Sequence, residues 1–491
     1  MTRPQDTRFF GHPVGLSTLF FTELWERFGY YGMRALLILF MVAPASTGGL
    51  GMDVMTAGSI YGLYTASVYM VSLPGGWLAD CFLGQRKAVL YGGILIALGY
   101  LLLAAPDVRI FYAGLCVVVC GTGLLKPNIS TIVGQLYSPA DPRRDAGFSI
   151  FYMGINLGAT IAPLICGYVG QRINWHLGFA LSGLGMTFGV IQYWLGRRHL
   201  ADAGLHPVPA ANLAAAASQR RLLRNALLGV VAIGCALAFV HLTGLLPLTP
   251  VLLVNAAGVV LLAIVVALFA WMLLGGDWTP VERKRLGAIL VLFVAASIFW
   301  AAYEQAGSSL SLFAERSSNN VVLHFNFPAS WYQSLNSLFI VALAPLIAWL
   351  WIRLGNRQPS SPAKFALGLL FVGLGFVVLV FGALLSAHGA RVSPLFLVLT
   401  YLLHTIGELC LSPVGLSAIT KLAPARVGSF MMGVWFISIS IGDYLGARLT
   451  SFYGALPVPV LFGIAASTSI LAGIALFLIV RPVTRLMGGV R

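Results

Sequence analysis

Between Phe21 and Arg34 the chain reads F-T-E-L-W-E-R-F-G-Y-Y-G-M-R, which places four formal charges inside an otherwise membrane-like helical segment, Leu16 to Val42. At about 100° per residue, Glu23, Glu26, Arg27, Tyr30, Tyr31 and Arg34 fall on one helical face. At a rise of about 1.5 Å per residue this polar stripe is about 16 Å long, half the thickness of a hydrocarbon core. Each of its charges would cost about 2.5–3.5 kcal/mol on a lipid-facing surface. Four of them would forbid insertion. The stripe therefore faces a wet or protein-lined interior, and the rest of the fold must supply that interior.

The 491 residues are 59% hydrophobic and only 9% charged, which excludes a soluble globular protein. A net charge of +15 does not indicate nucleic acid, because the basic residues punctuate apolar runs and are not gathered in one domain. Fifty-five glycines suit closely packed membrane helices. The polar start, Met1 to Pro13, lacks the architecture of a signal peptide, and the first apolar run is long enough to span and remain. Six cysteines lie in or beside apolar segments and read as small packing residues. Cys116 and Cys120 share a helical face, but without His or acidic partners no metal site is expected.

Fourteen apolar runs predict spanning helices near 14–43, 55–79, 88–105, 110–134, 147–171, 175–196, 222–241, 250–274, 286–309, 328–352, 364–386, 393–420, 427–453 and 458–480. With the N-terminus in the cytoplasm, the outer loops hold only Arg109, Arg172, Arg316 and Arg391. Arg27, Arg34, Lys126 and Arg448 lie inside the membrane, and every other Lys and Arg falls on the cytoplasmic side, so both termini are expected there. The stretch 198–284 stands apart: a Pro- and Ala-rich linker around His206 to Ser218, then two helices without intramembrane charge. Removing it leaves six helices on each side, 1–197 and 285–491. The fold class is thus an all-α polytopic membrane protein on the plan of the major facilitator superfamily, two six-helix bundles plus two extra helices. A weak repeat agrees, since Gly123-Leu-Leu-Lys-Pro127 and Gly407-Glu-Leu-Cys-Leu-Ser-Pro413 each put a polar residue before a helix-interior proline. The stretch Gly75 to Lys87, G-G-W-L-A-D-C-F-L-G-Q-R-K, resembles that superfamily's cytoplasmic loop between helices two and three, which clamps the bundles together in one state. Cys81 stands where an arginine is usual, which implies a weaker clamp.

The intramembrane charges beyond the stripe are Lys126, Glu304, Glu408, Asp443 and Arg448. A zwitterionic solute suits such a cavity: Arg34 and Lys126 can hold a carboxylate and Glu408 an ammonium. Asn156 and Asn336 can hydrogen-bond a peptide unit, with Tyr30, Tyr31, Tyr69, Trp300 and Trp435 as apolar walls with a polar edge. Asp443 and Arg448 read as a local or interhelical structural pair. His404, one turn before Glu408, reads as a satisfied buried histidine.

These residues match a known family. The segment Glu23-x-x-Glu26-Arg27-Phe28-x-Tyr30-Tyr31-Gly32 is similar to the E-x-x-E-R-F-x-Y-Y-G signature of the proton-dependent oligopeptide transporters. Lys126-Pro-Asn128, Phe299-Trp300 with Glu304-Gln305, Gln333-Ser-Leu-Asn336, and Gly407-Glu408-Leu with Ser412-Pro-Val-Gly-Leu extend the resemblance over nearly the whole chain. The charge-free pair after residue 220 looks like the extra pair of bacterial members. The resemblance implies a di- and tripeptide/proton symporter working by alternating access, not an enzyme, with no cofactor beyond the proton gradient. Glu23, Glu26, Arg27 and Glu304 would couple protons. Arg34 and Lys126 would contact the peptide carboxylate and Glu408 the amino terminus. Tyr30, Tyr31, Tyr69, Asn156, Asn336 and Ser412 would line the site, and Trp300 and Trp435 would form side-chain pockets. Arg34–Glu304 and Lys126–Glu408 would bridge the bundles in some states. The sequence departs from the family in having Tyr303 before a single Glu304, and no histidine in the membrane portions of helices one to six. An anion carrier would not need Glu408 or the acidic pair, and a drug antiporter would not need both Arg34 and Lys126. A membrane peptide sensor is the remaining alternative. A monomer in a bacterial inner membrane is expected, with peptide, protons and lipid as partners and no nucleic acid.

Overall fold

The computed structural model describes residues 7–138, 141–210, 212–247, 249–275, 278–387, 389–424 and 428–488. Arg3, Arg426 and Arg491, assigned above to the cytoplasmic side, lie outside the described residues. The first bundle comprises α1 (Val14–Val42), α2 (Val54–Met70) continued by α3 (Ser72–Leu78), α4 (Gln85–Leu103), α5 (Val108–Gln135), α6 (Arg144–Arg172) and α7 (Trp175–Gly196). The extra pair is α8 (Leu213–Thr243) and α9 (Pro250–Leu274). The second bundle contains α10 (Pro280–Tyr303), the short α11 (Ser309–Arg316), α12 (Gln333–Leu354), α13 (Ser361–Ser386), α14 (Leu395–Leu422), α15 (Gly428–Thr450) and α16 (Val458–Leu478), with α17 (Val480–Leu486) as a terminal turn. Counting α2–α3 and α10–α11 as single spans gives fourteen. Ten of the described helical segments are long and apolar enough to cross a membrane by composition alone. Of the others, α1 carries the charged stripe and α2 is only 17 residues long.

The lipid-side pattern is legible on α4, where Tyr91, Ile94, Leu98 and Leu101 are exposed at helical spacing while Gly92, Ile96 and Gly99 are buried. Between helices in lipid there is little hydrophobic drive, so close approach of backbones does the packing. On the α4–α5 interface a Cβ at Gly92 would lie 2.7 Å from the Gly121 carbonyl, and one at Gly99 3.0 Å from the Gly114 carbonyl. The two bundles meet along α2–α15 and α6–α12. Helix α9 packs on α2, α10 and α15, whereas no residue of α8 is buried.

Three sequence expectations change. The predicted run 55–79 is broken at Val71, because Pro74 cannot donate to Met70 and crowds its carbonyl. The expected loop at 75–87 is helical: α3 runs into a π-helical turn, Ala79–Leu83, and the break comes only at Gly84, whose φ of +76° suits glycine. Asp80 there is engaged inside the first half of the chain. Its Oδ1 accepts from Gln85 Nε2 at 3.1 Å and its backbone carbonyl accepts from the Val208 N–H at 2.8 Å. It holds the linker to its own bundle. No bond among the described residues carries it across to the second. Residues 197–210 likewise pack on the first bundle, with the Arg86 N–H donating to the Gly204 carbonyl at 2.9 Å.

Candidate functional site

Helix α1 is buried on almost every side, as its charges require. Within it, Arg27 Nη2 donates to Glu26 Oε1 at 2.7 Å, its Nε also donates to Glu26, and that Nε lies 3.5 Å from Glu23 Oε1. Glu23 Oε2 has no hydrogen-bond partner among the described residues. The Arg27 guanidinium lies over the Tyr30 ring, 4.9 Å from its centroid, so Tyr30 packs beneath the charged triad and does not line the cavity.

Two turns on, Arg34 reaches across to the second bundle. Its Nη2 donates to Glu304 Oε2 at 2.6 Å and its Nε to the Tyr61 hydroxyl at 3.0 Å. Glu304 can meet it because α10 stops at Tyr303. The backbone passes through a 3₁₀ turn, Glu304–Gly307, before α11 resumes, an interruption tolerated at membrane depth where it lines a cavity. A Cβ on Gly307 would lie 1.9 Å from the Tyr61 hydroxyl and 2.8 Å from Arg34 Nε, so only glycine leaves room for this pair.

Glu408, on α14 above Pro413, takes the opposite wall. It accepts from the Tyr303 hydroxyl at 2.5 Å and from Asn336 Nδ2 at 3.0 Å, and Asn336 also donates to Thr405 Oγ1 at 3.1 Å. Tyr31, Arg34, Tyr69, Trp300, Glu304, Asn336 and Glu408 enclose a cavity of about 120 Å³. A second cavity, of about 1250 Å³, shares Glu408 as a wall and is lined by Tyr152, Ser412 and Trp435. It extends to Lys421, Arg481 and Arg485, where α12 and α14 end and α13 begins. The opposite end is sealed by bonds between bundles. Gln171 Nε2 donates to Glu315 at 3.0 Å, Arg172 Nη2 to Asn326 Oδ1 at 2.6 Å, and the Ser334 hydroxyl to the Thr160 carbonyl at 2.7 Å. The molecule is thus closed at one end and open at the other.

Lys126 and Glu408, expected to pair only in some states, are apart in this one: Lys126 Nζ sits 3.9 Å from the Tyr69 ring centroid, and Glu408 is held by Tyr303 and Asn336. Other expectations need correction. Asn156 is buried and donates to the Tyr152 carbonyl one turn back at 3.0 Å, lining neither cavity. Asp443 and Arg448 form no ion pair among the described residues, and both carboxyl oxygens of Asp443 lack a partner there. Five residues at 100° put the two side chains about 140° apart. His404 packs beside Phe376 and Tyr303, and its buried Nε2 has no hydrogen-bond partner among the described residues. Trp300 Nε1 also has no hydrogen-bond partner among the described residues. The sequence reading missed Tyr61 and Tyr303 as partners of the charged groups, and Thr405 as a partner of Asn336. Tyr61, Thr65 and Tyr69, polar residues at 4-residue intervals on α2, were the available signal for the first. All six cysteines are free.

The family model described as "POT family" matches residues 86–463. The uncharacterized transporter YclF of Bacillus subtilis is 44% identical over 485 residues, covering 98% of this chain and 96% of its own length. The di-/tripeptide transporter of Lactococcus lactis subsp. cremoris is 41% identical over 492 residues, with 98% of each covered. A crystal structure of a peptide transporter POT in complex with sulfate superposes with a TM-score of 0.93 at 44% identity, covering 99% of this chain and 98% of that one. Sequence signature, fold and site geometry agree with these matches, and the chain belongs to the POT family of multi-pass membrane transporters.

Proposed function

We propose that this chain is a proton-coupled symporter that imports di- and tripeptides by alternating access. The observation that carries the reading is the polarity of the central cavity, with Arg34 and Glu304 on one side and Glu408 with Asn336 and Tyr303 on the other. A zwitterion with a carboxylate at one end and an ammonium at the other fits that arrangement. The Lactococcus relative carries the name di-/tripeptide transporter, which supports the same substrate class.

In this reading Arg34 and Lys126 receive the peptide carboxylate and Glu408 its ammonium. Asn336, Tyr31 and Tyr69 contact the peptide unit, Asn156 braces α6 behind them, and Trp300, Ser412 and Trp435 bound the side-chain space. Glu304 competes with the peptide for Arg34. When the peptide carboxylate takes the cation, the displaced Glu304 binds a proton, because an unpaired carboxylate in so enclosed a place is costly. Glu23, Glu26 and Arg27 form a second protonatable group on the same helix, and protonating either acid loosens its hold on Arg27. Residues 1–197 and 285–491 act as the rocking bodies and 198–284 as their linker. The chain works as a monomer in a bacterial inner membrane, with both termini cytoplasmic, and needs only the proton gradient.

The test is uptake of labelled dialanine into proteoliposomes with and without an inward proton gradient, with nitrate and cationic drugs as competitors. Gradient-dependent accumulation supports the reading. Uptake of nitrate or drug in its place refutes it.

A further inference from the structure

Asp443 has no role in the site described above, yet it is only 3% exposed, and neither of its carboxyl oxygens has a hydrogen-bond partner among the described residues. It sits in the seam between the bundles. On α15, Phe436, Asp443 and Ala447 recur at helical spacing along the face that meets α2, and Ser451 follows just past its end. Phe436 stacks on Tyr69 with ring centroids 6.5 Å apart. A Cβ on Gly62 would lie 2.0 Å from the Ala447 Cβ and 3.7 Å from the Asp443 carbonyl oxygen, and one on Gly58 3.4 Å from the Ser451 backbone nitrogen. On its other flank α15 is pressed onto α10, where a Cβ on Gly446 would lie 2.5 Å from the Ala301 carbonyl oxygen. The seam is tight enough to exclude solvent.

None of the ionisable groups facing Asp443 bonds to its carboxyl oxygens among the described residues. Arg34 from α1, Glu304 from the 3₁₀ turn, Lys126 from α5, and Tyr61 and Tyr69 from α2 lie within electrostatic reach. Arg34 is bonded to Glu304 and Tyr61, and Lys126 rests on the Tyr69 ring. On α14, Glu408 is held by Tyr303 and Asn336, and the His404 ring packs against Phe376 and Tyr303. Helix α9, also against α15, carries no charged residue.

We propose that Asp443 is a proton-operated latch on the α2–α15 seam, neutral whenever the sealed end is closed and ionised when that end opens. The inference rests on the alternating-access reading. An ionised carboxyl without a donor at this depth costs several kcal/mol, so closure requires the neutral form. Asp443 lies seven residues from Thr450 at the sealed end of α15, about 10 Å along the axis. Parting α2 from α15 there would let water reach it. It does not line the cavity that opens at the other end. The proton is therefore taken from the solution at the sealed end and returned to the same side. It is a gating proton, not a transported one.

One such proton shifts the closed-to-open ratio by about tenfold per pH unit, toward closed as the pH falls. The experiment replaces the six native cysteines, introduces Ser451→Cys in the seam, and follows labelling by a membrane-impermeant maleimide added at the sealed end between about pH 5.5 and 8.5. Rates are normalised to Leu323→Cys on an exposed turn, to remove the thiol's own titration. With Asp443 present, normalised labelling is expected to rise steeply with pH. With Asp443→Asn it stays low and changes less than about threefold, and with Asp443→Glu the rise returns. An undiminished rise in Asp443→Asn overturns the proposal, as does a flat profile in Asp443→Glu. Dialanine uptake is measured on the same Asp443 preparations, so a chain that labels as expected but carries no peptide overturns the transport reading alone.

Discussion

Replacing Glu304 by Gln removes one charge from a pair whose atoms are 2.6 Å apart and whose side chains are at most 10% exposed. With charge centres about 4 Å apart and an effective dielectric near 20, the attraction is about 4 kcal/mol. A peptide carboxylate approaching Arg34 meets that ionised competitor, and part of the repulsion is screened once the cavity is wet. Halving the figure leaves about 2 kcal/mol against the peptide, or about thirtyfold in affinity. Glutamine keeps a hydrogen bond to Arg34 without the charge, so Glu304→Gln is expected to bind dialanine about thirtyfold tighter than the parent near neutral pH. The assay is isothermal titration of dialanine into the purified chain, with proteoliposome uptake beside it. Exchange of peptide down its own gradient should persist in the variant, and accumulation against a gradient should fail. A variant that still concentrates dialanine refutes the competition, because the ion pair would then not be what links proton to peptide.

Glu408→Gln removes the anion that Tyr303 and Asn336 present to the cavity, so dialanine binding should fall at least tenfold. An N-acetylated analogue should lose far less, and equal losses in a competition assay would count against an ammonium site. Gly62→Ala forces a methyl group against Ala447 across the α2–α15 seam and should destabilise the sealed form by about 1–3 kcal/mol. Ala447→Gly in the same chain should recover most of the thermal stability and uptake; failure to recover them would mean that the contact is not the cause. Asp53 caps α2 outside the membrane, accepting from the Thr56 N–H at 2.9 Å and the Thr56 hydroxyl at 2.7 Å, and these bonds hold its carboxyl below the usual range. Its contribution is complete above the ordinary carboxylate pKa and is lost as pH falls through the lowered value. Asp53→Ala should therefore lower stability by about 1 kcal/mol at neutral pH, and the difference from the parent should shrink in acid.

Hydropathy exposed the fourteen spans because each had to satisfy its backbone in lipid, and the segregation of Lys and Arg made their alternation consistent. The stripe on α1 was legible for the same reason, since four charges in one span admit no lipid-facing solution. What the sequence concealed depended on three-dimensional proximity or on conformation. The break after Tyr303 carries no proline, and Gly307 with Ser308 and Ser309 is a weak signal inside an apolar run. The partners of Arg34 and Glu408 include Tyr61 and Tyr303, whose hydroxyls look like wall material until the helices are placed. Lys126 and Glu408 have complementary charges, but here each is held by other groups, Lys126 by the Tyr69 ring and Glu408 by Tyr303 and Asn336. Asp443 and Arg448 illustrate the opposite error, in which nearness along the chain suggested a pair that helical geometry forbids.

In the proposed function, proton and peptide chemistry share one helix. Arg27 and Arg34 are separated by seven residues, two turns, so they lie on the same face of α1 about 10 Å apart along its axis. Arg27 binds acids of its own helix, Glu23 and Glu26, and protonation there changes the first bundle internally. Arg34 binds an acid of the second bundle, Glu304, so its release changes how the bundles hold each other. Tyr31 lies between them, with the Arg27 guanidinium 6.0 Å and the Arg34 guanidinium 5.8 Å from its ring centroid. Movement of either cation is thus felt at one shared ring. A Tyr31→Phe variant keeps that stack and should retain coupling. Tyr31→Ala removes it and should let peptide exchange continue while proton-driven accumulation declines. If both variants accumulate dialanine equally well, the ring is only a wall of the cavity, and the two arginines act independently.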